Sequence, residues 1–197
     1  MPYSVQPGRT APVIETARLR LRAHALADFP ESAAMWADPI VTRYIDGTPA
    51  SEQQVWARLL NYAGLWSLLG FGYWALEERA SGRFVGELGF AEFMRALEPS
   101  IQGTPELGWA LVPAAHGRGY ATEAVAAAVA WGDSRFGADA QTACLISPDN
   151  RASIRVAAKC GYRELRVSSY GGQPILLYTR GPDPGLRAPR RLDPECR

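Results

Sequence analysis

The sequence predicts a mixed α/β domain, and three observations carry that prediction. Residues 106–112, Glu-Leu-Gly-Trp-Ala-Leu-Val, alternate in the manner of a strand. Directly after them comes a glycine turn, His116-Gly117-Arg118-Gly119, and then a run of apolar residues at helical spacing. Residues 71–77 and 83–90 are two strand-like runs at hairpin distance, joined through Ala80-Ser81-Gly82. Hairpin pairing is antiparallel, whereas strand-turn-helix-strand is the mark of a right-handed parallel crossover. Both belong to one sheet with helices against it.

Length and composition fit that class. A chain of 197 residues with 47% hydrophobic content suits one domain with a substantial core. The net charge is +1 with no long basic run, so nothing points to nucleic acid as a partner. Cys144, Cys160 and Cys196 are odd in number and unpaired in spacing, which reads as thiols in a reducing compartment, not a disulfide framework or zinc site. No metal site is expected. No stretch approaches a membrane span, and the start Met-Pro-Tyr-Ser-Val-Gln-Pro-Gly lacks the regions of a signal peptide. A cytoplasmic protein, monomer or homodimer, is expected.

The elements follow in order. Residues 1–12 hold prolines and a glycine and read as a loose leader to a domain over 13–181. Arg18-Leu19-Arg20-Leu21-Arg22 alternates strictly, a first strand with its arginines toward solvent. Asp28 with Glu31 has capping-box spacing and opens a helix that ends at Asp38-Pro39. Ser51 with Gln54 repeats the cap, and Val55, Trp56, Leu59, Leu60, Tyr62, Ala63 and Trp66 form a broad stripe on a second helix. That stripe has two readings: packing against the sheet, or Trp56, Tyr62 and Trp66 lining a substrate pocket. Gly86 and Gly89 within a strand imply a bulge or a close backbone approach. Residues 95–104 are polar with Pro99 and Gly103 and read as a mobile loop.

In the central helix Val125, Ala128, Val129, Gly132 and Phe136 share one face, and Gly137 stops it. A short strand over 141–147 is expected next to the earlier one. Pro148-Asp149-Asn150-Arg151-Ala152-Ser153 opens the fourth helix. Two last strands, 162–169 and 174–179, join through Gly171-Gly172. Residues 182–197, rich in proline and arginine, read as a disordered tail.

The chemistry lies in the glycine turn. Its glycines allow backbone conformations that a Cβ would penalise, and the first N–H groups of the next helix lack intrahelical partners at the positive end of its dipole. The two glycines either serve only the sterics of a strand-to-helix turn or prepare it for an anion, best a phosphate. The only lysine is Lys159, which excludes the Gly-Lys-Ser/Thr of a P-loop. The third glycine of a dinucleotide fingerprint is replaced by Thr122, which disfavours a hydride-transfer enzyme.

His116-Gly117-Arg118-Gly119-Tyr120-Ala121 resembles the acyl-CoA pyrophosphate loop of the GNAT superfamily of N-acetyltransferases, with His116 in the place of the usual glutamine or arginine. The longer Gly-Arg-Gly-Tyr-Ala-Thr-Glu-Ala is similar to the branch that acetylates ribosomal-protein N-termini and its small-molecule relatives. A second segment, Asn150 to Tyr162, resembles the family's Asn-x-x-Ser-x-x-x-x-x-Lys-x-Gly-Phe/Tyr, in the expected order.

The resemblance implies a mostly antiparallel sheet of six to seven strands, a central splayed parallel pair and about four helices. It implies an N-acetyltransferase that moves an acetyl group from acetyl-CoA to a small-molecule amine or peptide N-terminus, in a ternary complex. It places the cofactor along Leu111, Val112, His116, Gly117, Arg118, Gly119, Tyr120, Ala121, Thr122, Asn150 and Ser153, with a backbone N–H of residues 107–109 taking the thioester carbonyl. At pH 7, freeing a neutral amine costs about 1.4 kcal/mol for an α-ammonium and about 4.6 kcal/mol for a lysine, so a base or a proton exit is needed. Glu106 matches the family's general base in placement; its alternative is a strand-end carboxylate that only binds the ammonium. Glu87 is a second candidate, or a residue facing water.

Many relatives place an acidic tyrosine where this chain has Ala157. Ser153 is then the candidate acid, against a helix cap or a cofactor hydrogen bond. Asn150 is expected to bind the cofactor or tie the splayed strands. Tyr162 and Tyr178 read as packed in the sheet, His24 as structural and His116 as flanking the pyrophosphate. The rival reading is a catalytically silent acyl-CoA-binding module.

Overall fold

The structure, a computed structural model, describes residues 10–181. Its elements are β1 (Ile14–Glu15), β2 (Leu19–Arg22), α1 (Phe29–Trp36), α2 (Pro39–Thr42), α3 (Glu52–Leu69), β3 (Tyr73–Glu78), β4 (Phe84–Ala91), β5 (Glu106–Leu111), α4 (Tyr120–Phe136), β6 (Thr142–Ile146), α5 (Arg151–Lys159), β7 (Arg163–Tyr170) and β8 (Gln173–Arg180). One sheet runs β1-β2-β3-β4-β5-β6-β8-β7. Every neighbouring pair is antiparallel except β5 and β6, the central parallel pair. The mixed, mostly antiparallel architecture is the one expected. It has eight strands because the two-residue β1 is too short to show a period. It has five helices because Asp38, accepting the Ile40 N–H at 2.8 Å, starts the short α2 at Pro39, just beyond the expected end of the first helix.

Strand alternation sorts the two faces of the sheet. Trp74, Leu76, Leu88, Phe90, Leu107 and Leu111 pack with Ala124, Val125 and Ala128 of α4 in the main core. Ala75 and Ala110 pack with Met35, Trp36 and Val55, and Tyr73 and Ala91 pack with Tyr62 and Leu65, so α1 and α3 cover the opposite face. On α3 the buried set is Val55, Leu59, Tyr62, Leu65 and Trp66, whereas Trp56 and Leu60 of the broader stripe are exposed. The Ser51 and Gln54 cap forms as expected.

Asp28 departs from its expected role. Its carboxylate accepts Arg22 Nη1 and Nη2, each at 2.7 Å, and the Ala25 N–H at 2.8 Å, and makes no side-chain cap to α1. A bidentate guanidinium is a stronger partner than a helix N–H. The arginines of β2 are likewise paired instead of free in solvent: Arg20 with Glu15 and Glu77, Arg22 with Asp28 and Glu77. The 95–104 segment, expected to move freely, is anchored. Leu97 and Ile101 pack with Ala143 and Leu177, and the Ser168 hydroxyl donates to the Glu98 carbonyl at 2.7 Å. Of the expected leader, residues 1–9 lie outside the described residues. Ala11 is buried in the core, and the Pro12 carbonyl accepts Trp74 Nε1 at 2.8 Å. The expected tail, 182–197, also lies outside the described residues. Among the described residues no helix is long and apolar enough to cross a membrane.

The irregularity expected around Gly86 and Gly89 is present as a register shift between Leu76 and Glu77 and as a backbone approach. A Cβ on Gly89 would lie 2.2 Å from the Gly72 carbonyl oxygen. Gly64 on α3 has nothing within 4 Å of its Cβ position. Gly89→Ala is expected to cost about 3 kcal/mol in urea unfolding. Gly64→Ala, by removing helix-interior glycine entropy, is expected to stabilise by about 1 kcal/mol in the same experiment.

Candidate active site

Strands β5 and β6 share one register pair, Glu106 with Ala143, reinforced by the Ala143 N–H to the Pro105 carbonyl at 3.0 Å. Beyond it the strands part. On the other side of β5 the Val112 N–H reaches the Val85 carbonyl at 3.1 Å, so even-numbered residues turn their N–H groups to β4. Odd-numbered ones face β6, and the Trp109 N–H therefore points into the gap.

At the wide end of the gap the chain leaves Leu111 and Val112 through a 3₁₀ turn over Pro113–Ala115. His116 Nε2 lies 2.9 Å from the Leu111 carbonyl, which only accepts, so that nitrogen carries the proton. Gly117 and Gly119 have φ of 72° and 78°, a left-handed backbone suited to glycine. The Glu123 N–H closes on the Gly119 carbonyl at 3.1 Å, so the N–H groups of Tyr120, Ala121 and Thr122 precede the first intrahelical bond. Gly117 has open space around its Cβ position. Arg118 turns its side chain away, to Glu78 at 2.9 Å, and contributes to the turn through its backbone.

Helix α5 starts across the gap. Asn150 Oδ1 accepts the Ser153 N–H at 3.0 Å, so Asn150 is the cap and Ser153 is not. Ala157 is fully buried. The hydroxyls of Tyr162 and Tyr178 are engaged by Thr142 at 2.8 Å and Glu164 at 3.3 Å.

Two carboxylates lie on the α1 and α3 face of the sheet. Glu106, where β5 meets β6, is buried and accepts Arg95 Nε at 2.7 Å and Nη2 at 3.0 Å. Burial pushes its carboxyl above the usual range, and Arg95 only partly offsets that. The Arg95 guanidinium itself lies between the Phe93 and Tyr170 rings, 4.6 Å from each centroid. Glu87, for which the sequence allowed a position facing water, has no exposure at all. It accepts the Tyr62 hydroxyl at 2.5 Å, Trp36 Nε1 at 2.9 Å and the Ser32 hydroxyl at 3.3 Å, and burial outweighs these donors in raising its pKa. Between the two, Tyr73 stacks on Tyr62 with centroids 4.4 Å apart, and its hydroxyl stands 2.2 Å from where a Cβ on Gly108 would be.

Of the three aromatic candidates on α3, Tyr62 joins this cluster. Trp66 packs against Trp74 and Trp131 and donates to the Tyr73 carbonyl, and Trp56 sits edge-on to Phe29 on the outside. Sequence reasoning missed Ser32, Trp36, Tyr73 and Arg95, whose positions depend on interstrand register and loop course. No group of three or more His, Cys, Asp or Glu among the described residues could hold a metal ion.

The geometry has known counterparts. The acetyltransferase (GNAT) domain profile matches residues 18–163. The uncharacterized protein YkkB of Bacillus subtilis (strain 168) is 31% identical over 169 residues, covering 82% of this chain and 92% of its own. The acetyltransferase from Agrobacterium tumefaciens str. C58 superposes with a TM-score of 0.75 at 26% identity, over 90% of this chain and 98% of that one. RimL, the ribosomal L7/L12 alpha-N-protein acetyltransferase, in complex with coenzyme A, shares the fold with a TM-score of 0.66 at 18% identity, over 86% and 97% of the two chains.

His24 gives this region a pH signature. Its ring lies 5.1 Å from Tyr62, and neither ring nitrogen makes a well-formed hydrogen bond among the described residues, the Trp74 backbone giving only a weak contact. Burial lowers its pKa from 6.5 to about 4, with Asp28 opposing the shift and Arg22 adding to it. A depressed folded pKa means that its contribution is whole above pH 6.5 and is lost as pH falls toward 4. Compared with His24→Phe, which keeps a ring beside Tyr62, the wild type is expected to lose about 3 kcal/mol of urea-unfolding stability between pH 7 and 4.

Proposed function

The chain belongs to the GNAT acetyltransferase family and is an acyl-CoA-dependent N-acyltransferase, and from that premise we propose that it transfers an acetyl group from acetyl-CoA to a primary amine. The acceptor is a small-molecule amine or a peptide N-terminus, attacked directly in a ternary complex. One observation carries the reading. The gap between β5 and β6 runs from a buried carboxylate, Glu106, to a glycine turn with bare N–H groups.

The residues present fit the cofactor. The turn offers backbone donors and no Cβ at Gly117 and Gly119, which suits a pyrophosphate, and the parted strands offer unpaired backbone edges to an extended pantetheine arm. RimL, of the same fold, is known in complex with coenzyme A, which supports this choice. Bound there, acetyl-CoA supplies an activated thioester. The segment from His116 to Thr122 would hold the pyrophosphate end, Leu111 and Val112 would border the cofactor where the strand leads into the turn, and Asn150 and Ser153 would flank it on the α5 side. The Trp109 N–H, which points into the gap, would be a fixed donor to a thioester carbonyl oxygen that gains charge.

Glu106 takes up the amine proton. Its raised pKa brings it nearer to the amine it must deprotonate, and Arg95 fixes its orientation while leaving carboxylate lone pairs unused. Tyr62 and Glu87 border the acceptor side. Ser153 is the candidate proton source for the thiolate, since the cap is made by Asn150 and Ala157 has no hydroxyl. A thiolate with a pKa of about 8.5 also leaves with a water proton.

Calorimetric titration with acetyl-CoA, with ATP and NAD as controls, tests the cofactor. Micromolar binding of acetyl-CoA alone is expected, abolished in Gly119→Trp, because a side chain is strained at φ 78° and fills the turn. Glu106→Gln is expected to lower turnover at saturating cofactor about 100-fold at pH 7. Unchanged turnover between pH 6 and 9 would remove the base from Glu106. Binding without acetylated product from a broad amine panel would leave the silent binding module.

A further inference from the structure

The segment leading into β2 reaches the start of α4 from across the sheet. The Thr16 hydroxyl donates to Glu123 Oε1 at 2.6 Å and the Arg18 backbone N–H to the same oxygen at 2.8 Å, while Arg18 Nε donates to Oε2 at 2.7 Å. Arg18 Nη1 continues to the Arg118 carbonyl at 2.8 Å, and its Nη2 lies 3.4 Å from the Cβ position of Gly119. The Arg18 and Arg118 guanidinium carbons both lie over the Tyr120 ring, 4.6 and 4.5 Å from its centroid. Arg118 pairs with Glu78, which also accepts the Tyr120 hydroxyl. These contacts all lie behind the turn, on its β2 and β3 side.

Two physical consequences follow. Glu123 is the acidic residue of the first turn of α4, next to the N–H groups that suit a pyrophosphate. Burial pushes its carboxyl up, but the bonds from Thr16 and Arg18 outweigh that and hold it below the usual range, so it is charged at neutral pH. An unmasked carboxylate there competes with a phosphate for the same positive helix end and repels it. Arg18 supplies the cancelling charge. The bond to the Arg118 carbonyl also fixes the peptide between the two left-handed glycines, so the turn's N–H directions are set before a ligand arrives.

We propose that Arg18 is a positioning residue of the acyl-CoA site, masking the Glu123 charge and locking the Gly117-Arg118-Gly119 turn for the pyrophosphate. This rests on the acyl-CoA reading of the site. Arg18 acts through the loop and touches no phosphate itself.

Coenzyme A and dephospho-coenzyme A, titrated calorimetrically into wild type, Arg18→Gln, Glu123→Gln and the double variant, test it. Arg18→Gln is expected to weaken coenzyme A about tenfold. Dephospho-coenzyme A, which keeps the pyrophosphate, should show the same loss, and Glu123→Gln in the Arg18→Gln background should recover at least half of it on a logarithmic scale. Arg18→Lys keeps a charge for Glu123 without the fork to the Arg118 carbonyl, and is expected to weaken binding about threefold even if Arg18→Gln fails to fold. Unchanged binding in Arg18→Gln and Arg18→Lys, or no recovery in the double variant, overturns the proposal. A loss confined to coenzyme A also overturns it, by placing Arg18 on the 3′-phosphate. No binding to the wild type would instead sink the acyl-CoA reading.

Discussion

The arrangement of this protein depends on one shortage of hydrogen bonds. Strands β5 and β6 are held together at a single pair, Glu106 with Ala143, in the middle of an otherwise well-paired sheet. Buried backbone N–H and C=O groups are costly to leave unpaired, so a sheet that parts at its centre needs something else to meet those edges. Among the described residues His116 does so at the wide end, where its ring reaches the Leu111 carbonyl. The rest of the inner edge is suited to an extended ligand with its own amide groups. The parting is stable because each strand is secured on its outer side, β5 by β4 over six register pairs and β6 by β8 over five.

Charge is then distributed about that gap with opposite logic at its two ends. Glu106 at the narrow end and Glu87, further along on β4 opposite Ala110, are both buried, and desolvation raises both above the usual carboxylate range. Their donors differ. Glu106 is met by a guanidinium held between two aromatic rings, and Glu87 by neutral donors from Tyr62, Trp36 and Ser32. One carboxylate is thereby oriented by a charge, and the other by neutral donors on α1 and α3. At the wide end Glu78 and Glu123 are each engaged by arginine, which leaves the helix start free to favour an anion.

Local signals in the chain carried much of this. The glycine turn, the Asn150 cap, the Ser51 and Gln54 capping box and the two strand-like runs joined by a tight turn depend on residues within a few positions of one another, where propensity and spacing decide the outcome. Asp28 shows where such reading fails. It has the spacing of a cap, but Arg22 lies within reach across a turn, and the bidentate ion pair prevails. The 95–104 segment fails similarly: it looks polar as a whole, yet Leu97 and Ile101 find apolar partners on β6 and β8.

The sequence by itself determined the mixed sheet, the order of its main elements and the left-handed glycine turn before α4, because these follow from periods of two and 3.6 residues and from glycines in fixed places. It also singled out Glu106 and Glu87 as carboxylates on neighbouring strands, without saying what would surround them. Only the tertiary structure decided that Glu87 is enclosed by Tyr62, Trp36 and Ser32, that Arg95 occupies Glu106, that Tyr73 stands over Gly108, and that Arg18 clasps Glu123 about a hundred residues away. Such contacts are set by strand register and by where loops are pinned, and nothing in local spacing encodes which distant partner a side chain meets.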